Sequence, residues 1–108
     1  MYSGKKFKLG DTEYEIPALS LGQLRNGALE KMRVCDELAE QKKNWEAIAA
    51  RGELIYMAMT RNYPNVPLDT VMDALDLNNS AEIWLWILGA SGFKPSPEEV
   101  PEKTAPAT

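Results

Sequence analysis

Six consecutive large apolar residues, Ile83-Trp84-Leu85-Trp86-Ile87-Leu88, constrain this chain more than any other feature. Wound into a helix, they cover every face. Such a helix must be enclosed on all sides or keep part of its surface for something else. At 108 residues the chain can build one core and not two. Two arrangements satisfy this. The rest of the domain wraps the run completely, or at least one of Trp84 and Trp86, about 200° apart around the axis, stays partly exposed. In the second case the indoles anchor a protein-binding surface. The candidate binding residues are Ile83, Trp84, Trp86, Ile87 and Trp45.

The segments ahead of that run set what can cover it. Phe7 and Leu9 alternate with Lys6 and Lys8, Gly10-Asp11 breaks the pattern, and Tyr14 and Ile16 alternate with Glu13 and Glu15. This period of two on both sides of a short break predicts a β-hairpin over about 6–16 with one buried face. The lysines and glutamates on its other face match in charge, each pair contributing about 0.2–1 kcal/mol.

Helices follow at about 20–40, 44–62, 68–76 and 80–90. Ser20 and Gln23 form a capping box for the first, and Asn79 with Glu82 is read as the box that opens the fourth. Leu21, Leu24, Ala28, Met32, Cys35 and Leu38 make the first apolar stripe. Trp45, Ile48, Ala49, Gly52, Ile55, Tyr56 and Met59 make the second. Gly22 and Gly27 predict a kinked start to the first helix. In the third, Leu68, Val71, Met72 and Leu75 point inward. The expected fold is therefore mainly α with a small N-terminal β-hairpin, an α+β domain spanning 1–93. Residues 94–108 hold four prolines and one large apolar side chain, Val100, and are expected to be a disordered tail.

Composition removes functions. Without histidine, Ser-His-Asp and Cys-His catalysis and imidazole metal sites cannot be assembled from this chain. A net charge of -4 argues against a nucleic-acid partner. The single cysteine excludes a disulfide scaffold, and Cys35 is expected as a buried structural thiol. No apolar run approaches the roughly 20 residues that span a bilayer, and the N-terminus lacks a signal-peptide core. Asp69, Asp73 and Asp76 share one helix face, read as solvated rather than as a cation site. Neither they nor Cys35 form a nucleophile–base pair, so no catalytic, cofactor or metal residues are assigned.

Ile16-Pro17-Ala18-Leu19-Ser20-Leu21-Gly22-Gln23-Leu24-Arg25 is similar to the strand-to-helix entry of small tail proteins of long-tailed bacteriophages and prophages. Arg61-Asn62-Tyr63-Pro64-Asn65-Val66, then Val71 to Asn79 and Ala90-Ser91-Gly92, resembles their second half. The resemblance is to tail assembly chaperones. It implies a non-enzymatic protein of the host bacterial cytoplasm that binds the tape-measure protein, keeps it soluble and helps recruit tail-tube subunits. The alternative is a minor structural or connector protein retained in the particle. Trp84 and Trp86 stand where smaller residues are usual in that family. Self-association through leftover apolar surface is a further expectation.

Overall fold

The computed structural model describes residues 1–93; the tail expected at 94–108 lies outside the described residues. Strands β1 (Gly4–Leu9) and β2 (Thr12–Pro17) pair antiparallel, with Phe7 opposite Tyr14 and Leu9 opposite Thr12. Gly10 joins them at φ 63°, the positive-φ position that tight hairpins reserve for glycine. Phe7, Leu9 and Ile16 are buried on one face, and Tyr14 is half-buried. The register places Lys6 opposite Glu15 and Lys8 opposite Glu13. They form no ion pairs, however: among the described residues Lys31 pairs with Glu53, and Arg33 with Glu30 and Glu37.

The first helix is broken where its glycines predict. Helix α1 (Leu21–Gln23) opens on the Ser20–Gln23 capping box. A kinked segment, Leu24–Ala28, follows, with Asn26 and Gly27 outside helical geometry and Gly27 at φ 136°. Helix α2 (Leu29–Glu40) then runs regularly. The kink turns Leu21 to solvent, so this member of the expected stripe is 86% exposed. Helix α2 ends with Lys42 at φ 62° and with bonds from Lys42 N–H to the Ala39 carbonyl and Lys43 N–H to the Leu38 carbonyl. This is the paired 5→2 and 6→1 closure that satisfies a helix's last carbonyls.

Helix α3 (Asn44–Met59) is the centre of the domain. It buries Ala47, Ala50, Gly52, Leu54, Ile55, Ala58 and Met59, and it packs against α2, α4, α5 and β2. It ends three residues short of the expected 62. Arg61, Asn62 and Tyr63 instead turn back onto the hairpin. Tyr63 Oη accepts from Glu15 N–H at 2.8 Å, Asn62 Nδ2 donates to the Glu15 carbonyl at 2.9 Å, and Arg61 Nη1 donates to the Ala18 carbonyl at 2.7 Å. These side chains satisfy polar groups along β2 that would otherwise lie open.

Helix α4 (Leu68–Ala74) crosses α3 closely: a Cβ on Gly52 would lie 2.7 Å from Met72 Sδ. Helix α5 (Leu77–Ala90) begins three residues before the expected 80. Its capping box is Asp76–Asn79, with Asn79 N–H donating to Asp76 Oδ1 and Asp76 N–H to Asn79 Oδ1, both at 2.7 Å. Two boxes overlap in the sequence, and the one three residues earlier is used because it adds almost a full turn of hydrogen bonds. Gly92, at φ 94°, closes the C-terminus. Asp76→Ala is expected to lower stability by about 0.5–2 kcal/mol in urea denaturation. Glu82→Ala, at the unused box, is expected to stay within about 0.5 kcal/mol.

Candidate functional site

The apolar run of α5 divides between two environments. Ile83 and Ile87 are wholly buried with Ser80, at i, i+3 and i+7, on the face that packs against α3. This corrects the expectation that they belong to a binding surface: their side chains are inaccessible and support α5 from beneath. Trp86 is half-buried and meets Phe7 of the hairpin edge-on, with ring centroids 6.3 Å apart. Trp84 is also half-buried but faces the opposite flank, where it lines a surface groove.

On that outer flank the spacing is regular. Leu77, Ala81, Trp84 and Leu88 follow at intervals of four, three and four, a seam of the kind that mates with another helix. Leu77, at the start of the seam, and Leu85 beside it are 52% and 56% exposed. The seam borders two grooves. The first, of about 360 Å³, lies between α3, α4 and the start of α5, with Trp45, Ile48, Gly52, Met72, Leu75 and Leu77 on its walls. The second, of about 430 Å³, lies between α2, α3 and α5, where Cys35, Ala39, Ile48, Trp84, Leu85 and Leu88 line it. Ile48 lines both, so the grooves meet there. Trp45, expected on the inward stripe of α3, is 74% exposed at the mouth of the first groove.

The polar groups in these grooves are few. Arg51 Nη2 donates to Ser80 Oγ at 2.9 Å, while its Nε is buried with no hydrogen-bond partner among the described residues. Asp36 and Asn44 also border the second groove, and Asp76 is the one ionisable residue lining the first. Cys35 is half-buried rather than fully enclosed, and its thiol donates to the Ala47 carbonyl at 3.3 Å. Burial, then the nearby Asp36 carboxylate, pushes its pKa up, and Arg51 offsets only part of this. The protonated thiol is therefore the form folding favours. Its contribution to stability is full below the ordinary thiol pKa and declines as pH rises through the folded value. Among the described residues no three His, Cys, Asp or Glu side chains gather to hold a metal ion, and no helix is long and apolar enough to cross a membrane. Asp69 and Asp73 are exposed, and Asp76 is committed to the cap.

Of the five residues singled out in the sequence, Trp45 and Trp84 border the grooves, Trp86 serves the hairpin interface, and Ile83 and Ile87 are core. The seam residues Leu77, Ala81 and Leu88, and Leu85 beside them, were not singled out. The four-three-four spacing of Leu77, Ala81, Trp84 and Leu88 was available, but starting the helix at 80 left Leu77 outside it. No protein-family model, curated protein or solved structure matches the chain.

Two measurements check this division. Trp45→Ala is expected to change stability by less than about 0.5 kcal/mol, whereas Ile83→Ala costs about 2–5 kcal/mol in chemical denaturation. Cys35 in the folded protein should react with iodoacetamide at neutral pH at least about threefold more slowly than a free cysteine, with the rate midpoint displaced to higher pH.

Proposed function

We propose that this chain is a tail assembly chaperone of a long-tailed phage, working in the host bacterial cytoplasm. It lays a helical segment of the tape-measure protein along the α5 seam, shields that segment's apolar face from water, and passes it on as tail-tube subunits assemble. No bond is made or broken. The protein's contribution is binding energy alone, and neither a cofactor nor a metal enters the reading.

The observation that carries this is the double-sided character of α5. One face, Ile83 and Ile87, is spent on the core, and the neighbouring seam, Leu77 to Leu88, runs beside two apolar grooves, with Leu77 and Leu85 exposed. A helix docked there has a seam to mate with and a large exposed indole, Trp45, at one end, the arrangement of helix-in-groove recognition. The resemblance of Ile16–Arg25 and Arg61–Val66 to tail assembly chaperones supplies the identity of the client.

Co-expression with tape-measure fragments tests this. Trp45→Ala combined with Leu85→Ala, both on exposed side chains, is expected to weaken capture at least about thirtyfold, as loss of an interface hot spot does, while the melting temperature holds. Undiminished capture by this folded variant refutes the reading. Mass spectrometry of purified particles distinguishes a transient chaperone, which is absent from them, from a retained tail component.

A further inference from the structure

We infer that the α5 seam selects a basic amphipathic helix, one whose apolar stripe is flanked by lysine or arginine; this rests on the helix-docking reading above and names the chemistry of the client. The argument starts from charge. Between Arg61 and Lys94 the sequence carries Asp69, Asp73, Asp76 and Glu82 and not one lysine or arginine. This stretch is the whole of α4 and α5, the two helices that with α3 frame the first groove. Among the described residues none of the four carboxylates forms an ion pair.

Two of them stand at the first groove. Asp76 lines it. Asp69 stands one helical turn before Met72, another lining residue, and so on the same side of α4. Glu82 stands one turn before the exposed Leu85. An apolar seam bordered by unpaired carboxylates favours a ligand that brings cations to its edges and disfavours one that brings more carboxylates. The same rim argues against a second copy as occupant. A two-fold pairing of α5 seams would bring the Asp76 carboxylates of two chains, each of net charge -4, into one interface.

Two synthetic peptides of about 18 residues, roughly five turns, test this against the full chain. They share one leucine-alanine seam at four-three-four spacing and differ only in carrying lysine or glutamate at the flanking positions. Titration calorimetry at low salt should give the lysine peptide at least about tenfold tighter binding, with the preference shrinking as salt rises. Asp69→Asn with Asp73→Asn, both exposed and outside the α5 cap, should reduce that preference about threefold, weakening the lysine peptide while the glutamate peptide binds no less tightly. Equal affinities, or tighter binding of the glutamate peptide, overturn the charge selection while helix docking stands. Binding of neither peptide overturns both. A concentration-dependent dimer that Leu85→Glu dissociates in sedimentation assigns the seam to a second copy and overturns the inference.

Discussion

Enclosure of α3 governs the rest of this structure. It meets α2, α4, α5 and β2, and its close contacts rely on small residues, Ala47, Ala50, Gly52 and Ala58, that let neighbouring elements approach. At Gly52 the approach is close enough that a Cβ would displace Met72. A domain of this size has few elements to distribute, and α3 claims most of them. What remains cannot also surround α5. Its inner face is held by Ile83 and Ile87, and on its outer flank Leu77 and Leu85 stay exposed. The exposed apolar surface is thus a consequence of how the core is filled.

The two tryptophans of the apolar run show the same division at single-residue scale. They are two positions apart, which on a helix sends them to different flanks. Trp86 is used to seat the hairpin through Phe7, and Trp84 is left at the groove. Anchoring the hairpin this way frees β2 to be closed by Asn62 and Tyr63 from beyond the end of α3. A two-stranded sheet alone is marginal in water, and these side-chain bonds fasten it to the helices. The segment Arg61–Tyr63 therefore has a local structural role as a latch between hairpin and helix bundle.

Groove polarity follows from the same economy. Arg51 spans from α3 to Ser80 on α5 and places a guanidinium in the wall of the second groove, which Asp36 and Asn44 also border. Cys35 sits across that wall as a protonated thiol, bound to the Ala47 carbonyl. The charged groups that α4 and α5 contribute around the first groove are carboxylates alone.

Local patterns were enough to read the hairpin, the four helical segments, the Ser20 cap and the kink at Gly27, because each depends on spacing, capping chemistry or backbone freedom within a few residues. The order of those elements and the excess of apolar surface in 83–88 were legible for the same reason. Packing made the remaining decisions. Choice of the Asp76 box over the Asn79 box depended on the extra turn it allows α5, and with it the place of Leu77. Which face of α3 turned inward was settled by the positions of α4 and α5, which put Trp45 outside and Ala47, Ala50 and Leu54 inside. Periodicity shows that a helix has an apolar side; only the neighbours, by excluding water from one stripe and not another, determine which apolar side becomes core and which stays exposed.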